Sequence, residues 1–324
     1  MPCLQTHRRA LVSFLIWLAT TAVAAAADYP ERMMQVIVPF AAGTGTDSVA
    51  RQIFADIAQR TGQTAIVDNK AGADGQIGAQ SVALAKPDGY TIFVTTQTTQ
   101  AYNASVYKSL PYDPVKSFAP VTAILRSPQL VLVRKDLPAN TIGELIALAK
   151  AAPGKLTFGS GNGSSRGGGE LFKIMADVDL LNVPYKAQPQ AIIDLLGNRI
   201  DMIFTDMSTG LPALEGGQVR ALAVTSRERL PSLPQIPTVD EVGLPGFEMT
   251  AWAAVYVPAG TPRPIVDRLN ALIRQAASTK EYEERMRQMG AVSIVGTPED
   301  LAVLQKDETI RWAKLAKAAG MQEQ

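Results

Sequence analysis

The chain has 324 residues, of which 47% are hydrophobic, and its 31 Lys and Arg residues nearly balance its 30 Asp and Glu residues. A near-neutral chain without a long basic run excludes nucleic acid and anionic membrane surfaces as expected partners, and its length predicts two domains. The only cysteine and the only histidine, Cys3 and His7, lie close to the N-terminus. Disulfides, thiolate metal sites and imidazole bases are therefore excluded from the rest of the chain, and we expect no metal, no cofactor and no enzymatic activity.

Residues 1–27 predict a secretory signal peptide. Arg8 and Arg9 precede the apolar stretch 10–19, and an alanine-rich tail ends just before residue 28. The apolar stretch is shorter than the about 20 residues that a membrane-spanning helix needs. We predict cleavage after Ala26 or Ala27 and export to the periplasm. An uncleaved N-terminal anchor is the alternative.

Strand-like and helix-like segments alternate in the first series that follows. Residues 36–40 predict a buried strand that leads through a glycine-rich turn into a helix, which Thr46 or Asp47 opens and which runs up to Gly62. The other segments of this series are strands at 65–67 and 91–94 and a helix at 77–85. This order predicts an α/β fold with a mostly parallel sheet flanked by helices.

A second α/β series begins near Val121 and leads into a helical C-terminus. The run 159–169, rich in glycine and serine, connects a strand to a helix. The predicted strands are 130–133, 156–158, 202–204, 222–224 and 250–257. The predicted helices are 142–151, 170–178, 191–196, 264–277, 281–289 and 298–319.

Each series contains one unit of strand, glycine-rich loop and helix, at 36–47 and at 156–170. Glycine lets the backbone approach a ligand, and the start of the following helix offers unpaired N–H groups, so each loop is a candidate anion site. Two such loops could hold one carboxylate between them. The alternative is that both are ordinary α/β turns.

Side chains in and near these loops offer further hydrogen-bond donors. Hydroxyl groups lie in both loops, and Arg166 could pair with an acid or could be a solvated surface residue. Asp47 is better interpreted as a helix cap than as a ligand contact. Asp206, just beyond a predicted strand, could accept a hydrogen bond from a ligand hydroxyl or amine, or could form a turn.

Gly163 to Gly167 spell G-x-S-x-G between a strand and a helix, but a nucleophile elbow needs a histidine. A serine–lysine hydrolase that uses Ser164 or Ser165 remains as an alternative, although Lys173 faces away by helical phase. Neither a dinucleotide fingerprint nor a phosphate loop occurs, and the acids are too scattered for a metal site.

Sequence landmarks in a fixed order resemble the Bug-type receptors, the extracytoplasmic binding proteins of tripartite tricarboxylate transporters. The resemblance extends from about Tyr29 to the C-terminal helix. It is carried by these stretches: Val-Pro-Phe at 38–40, Asp-Ser-Val-Ala-Arg at 47–51, Pro-Asp-Gly-Tyr-Thr at 87–91, Leu-Pro-Tyr-Asp-Pro at 110–114, Val-Pro-Tyr-Lys at 183–186 and Pro-Ala-Gly-Thr-Pro at 258–262.

The resemblance implies a two-lobed periplasmic binding protein of type II-like fold, with a ligand cleft between the lobes. We expect lobe 1 to comprise 28–124 plus 250–324 and lobe 2 to comprise 125–249. The expected function is capture of a small carboxylic acid by a monomer and its delivery to the membrane subunits of such a transporter. A sensor that signals to a membrane kinase is the alternative. The predicted ligand-binding residues are Phe40, Ala41, Gly43, Thr44, Gly45, Thr46, Asp47, Thr96, Thr98, Gln100, Ser160, Gly161, Asn162, Ser164, Ser165, Arg166, Tyr185 and Asp206.

Overall fold

The computed structural model describes residues 29–321, so the predicted signal peptide and its cleavage site lie outside the described residues. The strands are β1 Met34–Val38, β2 Ala65–Asn69, β3 Thr91–Thr96, β4 Phe118–Arg134, β5 Thr157–Ser160, β6 Leu181–Pro184, β7 Met202–Asp206, β8 Val219–Val224, β9 Thr250–Pro258 and β10 Val292–Ser293. The helices are α1 Gly45–Thr61, α2 Gln76–Ala83, α3 Asn103–Val106, α4 Ile142–Ala151, α5 Gly163–Ala176, α6 Gln188–Leu196, α7 Met207–Glu215, α8 Val239–Val242, α9 Arg263–Ala276, α10 Lys280–Gln288 and α11 Pro298–Ala318. A π-helical turn at Thr98–Tyr102 precedes α3.

The strands form one continuous sheet path in the order β2-β1-β3-β9-β4-β7-β5-β6, and β8 and β10 also pair with β4. Strand β4 joins the two halves of this path. Up to Pro128 it pairs with β9, and from Gln129 onward it pairs with β7 and β8. The predicted α/β class is confirmed, with a more mixed sheet than expected. Strand β1 pairs in parallel with β2 and β3, and β5 pairs in parallel with β6 and β7. The central strands β4 and β9 run antiparallel to their neighbours.

Separate hydrophobic cores form on the two halves of the sheet path. Val36 on β1 and Ile53 on α1 are fully buried in the first half, and Phe158 and Phe172 are fully buried in the second. The C-terminal helix α11 spans both halves. Its Leu301 packs with first-half residues, whereas its Trp312 packs in the second core. The predicted lobe boundaries stay a prediction.

The glycine- and serine-rich run departs from its predicted loop conformation. Helix α5 begins at Gly163, seven residues before the predicted helix start at Glu170. Its three consecutive glycines lie inside the helix because side chains pack directly on its backbone. A Cβ at Gly167 would lie 2.2 Å from Trp312, and one at Gly169 would lie 2.2 Å from Phe158. These glycines therefore permit close packing, and the loop itself is only residues 161–162.

No helix within residues 29–321 has the length and apolar character needed to cross a membrane.

Candidate functional site

A small cavity lies where the two halves of the molecule meet, above the crossover strands β4 and β9. Its volume open to the centre of a water molecule is about 50 Å³, room for about three to five waters. The cavity therefore suits a small polar group. Its lining residues are Phe40, Thr44, Gly45, Thr46, Thr96, Leu125, Ser127, Gln129, Asn162, Ser164, Gln188, Asp206, Ala251, Trp252, Ala253 and Met289.

Helix α1 begins at this cavity without a side-chain cap. The N-cap residue Thr44 uses its hydroxyl elsewhere, donating a 2.9 Å hydrogen bond to the carbonyl of Ala41. Gly45 and Thr46 in the first turn line the cavity. The first N–H groups of a helix have no intrahelical acceptor and carry the positive end of the helix dipole. The first predicted loop therefore offers anion donors that no side chain of the cap occupies.

Asp47 holds the first loop in place. Its carboxylate accepts hydrogen bonds from the Gly43 amide at 3.0 Å and from Asn69 Nδ2 at 3.0 Å, and it pairs with Arg51. Burial acts to raise the pKa of Asp47, but the hydrogen bonds from Arg51, Gly43 and Asn69 outweigh it and lower that pKa. These contacts fit the structural role preferred from the sequence. Gly43 and Asp47 line an outer groove beside the cavity.

In the second predicted loop, the backbone donors are already paired. The amides of Gly161 and Asn162 donate to Ser165 Oγ at 3.0 and 3.2 Å, and Asn162 Oδ1 in turn accepts from the Ser165 amide at 2.9 Å. This reciprocal capping box pairs the amides of Asn162 and Ser165 at the start of α5. The second loop presents Asn162 and Ser164 to the cavity. Gly161 and Ala41 line a smaller neighbouring cavity.

Several predicted residues lie away from the cavity and bond elsewhere. The Tyr185 hydroxyl donates to Asp194 Oδ2 at 2.8 Å, and the Ser160 hydroxyl donates to Asn182 Oδ1 at 2.7 Å. The contacts of the others are internal as well: Gln100 Nε2 donates to the Pro114 carbonyl, Arg166 Nη1 donates to the Tyr102 hydroxyl at 3.5 Å, and Thr98 is buried in the π-helical turn. The structure thus gathers eight of the 18 predicted residues around the main cavity, namely Phe40, Thr44, Gly45, Thr46, Thr96, Asn162, Ser164 and Asp206.

Asp206 ends β7 and caps α7 from the second half of the molecule. Its carboxylate accepts hydrogen bonds from the Thr209 amide and hydroxyl, each at 2.9 Å. Burial raises the pKa of Asp206 above its ordinary value. Gly45 faces it across the cavity, since a Cβ on Gly45 would lie 3.5 Å from Asp206 Oδ1. The start of α1 and the end of β7 are therefore in direct apposition.

Sequence reasoning missed eight residues that line the cavity: Leu125, Ser127, Gln129, Gln188, Ala251, Trp252, Ala253 and Met289. One signal was available, because Ser127 and Gln129 interrupt an otherwise apolar run within β4. Gln188 opens α6, and its Oε1 accepts hydrogen bonds from the Thr205 hydroxyl at 2.9 Å and the Asp206 amide at 3.3 Å. The apolar lining residues gave no signal, since they resemble ordinary core residues.

The geometry does not assemble the serine–lysine pair considered as an alternative. Lys173 Nζ forms an ion pair with Glu170 Oε2 at 3.1 Å, and the Ser165 hydroxyl belongs to the capping box. Within residues 29–321, no group of three or more acidic, cysteine or histidine side chains is placed to hold a metal ion.

Comparison with known proteins places these features in context. A family profile described as "Tripartite tricarboxylate transporter family receptor" matches residues 49–321. The structure of R. palustris Rpa4515 with adipate is 37% identical, covers 90% of this chain and 98% of its own, and superposes with a TM-score of 0.87. Periplasmic binding protein BugD is 37% identical, covers 91% of this chain and 100% of its own, and superposes with a TM-score of 0.85. MatC from Rhodopseudomonas palustris with bound malate is 33% identical, covers 89% of this chain and 99% of its own, and superposes with a TM-score of 0.82.

Proposed function

The chain belongs to the tripartite tricarboxylate transporter receptor family, and we propose that it captures a small carboxylic acid between its two lobes for delivery to the membrane subunits of such a transporter. The resemblance to Bug-type receptors is confirmed, as are the binding-protein fold and the solute-binding role. The observation that carries the ligand class is the uncapped start of α1, which faces Asn162 and Ser164 across a small cavity.

Binding follows from the placement of these donors on opposite sides of the cavity. A carboxylate at the start of α1 can accept hydrogen bonds from the first-turn amides and from the hydroxyl of Thr46. The second half of the molecule contributes Asn162 and Ser164. A ligand that needs donors from both sides is held fully only when the cleft is shut, so binding shifts the population toward the closed form. The ligands of Rpa4515 and MatC, adipate and malate, support a carboxylate as the bound group.

We also propose that the receptor works in the periplasm, as a monomer and without turnover. BugD, to which the chain is similar, is a periplasmic binding protein, and residues 1–27 have the composition of a signal peptide. Mass spectrometry of the protein from the periplasmic fraction should give a mature N-terminus at Ala27 or Asp28. An intact N-terminus in the membrane fraction would favour the uncleaved anchor instead.

A thermal-shift screen of small carboxylates, each paired with its uncharged amide, tests the ligand class. An acid at 100 times its dissociation constant should add about 2.7 kcal/mol of stability, or roughly 4 °C in Tm for a chain of about 300 residues. The matching amide should give no comparable shift, because it lacks the negative charge that the start of α1 attracts. Equal shifts with acid and amide, or no shift with any acid, would contradict the proposal.

A further inference from the structure

The main cavity carries one negative side chain and no positive one. Among its lining residues, Asp206 is the sole acid, and lysine, arginine and histidine are absent from that lining. Within residues 29–321, the carboxylate of Asp206 accepts hydrogen bonds from Thr209 and from backbone amides that include Ser208, and no basic side chain forms an ion pair with it. A second ligand carboxylate at this point would therefore find no basic side chain to pair with.

The cap on α7 leaves Asp206 facing the cavity. Its hydrogen bonds within the cap come from Thr209 and from backbone amides that include Ser208, and Asp206 also lines the cavity. Oδ1 also faces Gly45, whose Cβ would lie 3.5 Å away. A ligand carboxylate at the start of α1 would thus place its neighbouring carbon atoms beside Asp206.

We infer that Asp206 selects acids that carry a hydrogen-bond donor, an ammonium or a hydroxyl group, one or two carbons from the carboxylate. This inference rests on the proposed function and narrows its ligand class. The ligand carboxylate binds at the start of α1, and the donor on the adjacent carbon binds to Asp206. An unsubstituted acid offers Asp206 no donor beyond those of its own cap, and a second carboxylate there would bring two acidic groups together.

Two matched ligand series test this by isothermal titration calorimetry: propionate, lactate and alanine, and succinate, malate and aspartate. In the wild-type protein, the hydroxy or amino acid of at least one series should bind about 10-fold or more tightly than its unsubstituted parent. If an ammonium group is the natural donor, the amino acid should bind most tightly in its series. If a hydroxyl group is the natural donor, the hydroxy acid should bind most tightly.

Asp206→Asn removes the charge but keeps a side chain that caps helices about as well as aspartate does. Its donor preference should fall below about threefold, whereas Asp136→Asn, an exposed aspartate away from the cavity, should retain the wild-type preference. Equal affinity of the wild-type protein for parent and substituted acids would overturn the inference, as would a preference that survives in Asp206→Asn. If the unsubstituted acids bind as tightly as the substituted ones, the inference fails and the proposed function stands. If neither series binds but another acid of the thermal-shift screen does, the inference again fails alone. If no acid of that screen binds, both fail.

Discussion

The substitution Gly167→Ala tests the close packing of α5 against α11. Gly167 lies inside α5, and a Cβ added there would be 2.2 Å from Trp312 Cη2 and 2.5 Å from Trp312 Cζ3. Trp312 is 2% exposed, so its rigid ring has little room to move away. Overpacking of a well-packed core costs typically 1–3 kcal/mol, and so direct a contact with an aromatic ring belongs at the upper end, about 3 kcal/mol.

Helix propensity opposes this cost, because replacing glycine by alanine inside a helix gains about 0.8–1.0 kcal/mol. Gly143→Ala is the matched control. Gly143 lies in the first turn of α4, and the nearest atom to its Cβ would be Thr141 Oγ1 at 3.9 Å. The substitution Gly143→Ala therefore gains helix propensity without a steric clash. The difference in unfolding free energy between the two variants isolates the contact, about 3 kcal/mol, which corresponds to roughly 5 °C in Tm.

Thermal unfolding followed by circular dichroism, without ligand, measures this difference. The double variant Gly167→Ala, Trp312→Phe adds a second test, because phenylalanine lacks the part of the ring that the new methyl would touch. The Trp312 indole N–H has no hydrogen-bond partner within the described residues, so the smaller ring forfeits no such bond. The double variant should lose less stability than the sum of the single losses. Equal melting temperatures for Gly167→Ala and Gly143→Ala, or strict additivity, would refute the packing argument.

Three further measurements probe the cavity and its loops. Gly45→Ala places a methyl 3.1 Å from Met289 Cε, where the two halves meet. The affinity for the acid, measured by calorimetry, should therefore fall about fivefold or more. The control variant Gly143→Ala should bind the acid as tightly as the wild-type protein. Because Trp252 lines the cavity, acid binding should change tryptophan fluorescence in Trp312→Phe but not in Trp252→Phe. Since the folded-state pKa of Asp47 is lowered, its contribution is present at neutral pH and lost in acid. Urea unfolding should therefore separate wild type from Asp47→Asn at pH 7, and the difference should shrink as the pH falls below the ordinary aspartate pKa of about 3.9; an undiminished difference in acid would contradict this.

Local patterns were sufficient to locate most elements. The predicted helix 264–277 and strand 250–257 match α9 Arg263–Ala276 and β9 Thr250–Pro258 to within one residue. Apolar periodicity and proline in the first helical turn are local features, so they can be read without knowing the fold. The expectation of no catalysis also came from composition alone, because a chain whose cysteine and histidine lie only near its N-terminus offers few routes to catalysis.

Strand β4 shows where local patterns fail. The sequence predicted only 130–133 as strand, yet β4 runs unbroken from Phe118 to Arg134 and passes through Ser127, Pro128 and Gln129. The backbone continues because β9 and β7 pair on either side of this point, and the Gln129 amide donates to the Thr225 hydroxyl at 2.7 Å. These partners are distant in sequence, so no local signal could reveal them.

The sequence by itself determined the α/β class, the two glycine-rich loops and the family. Only the tertiary structure decided which of the two helix starts carries a side-chain cap. Thr44 leaves α1 uncapped, whereas Asn162 and Ser165 cap α5 reciprocally, although both loops look like anion sites from composition alone. The tertiary structure also set Asp206 against Gly45. The physical reason is that hydrogen-bond partners and facing charges depend on contacts between distant segments, and composition does not record such contacts.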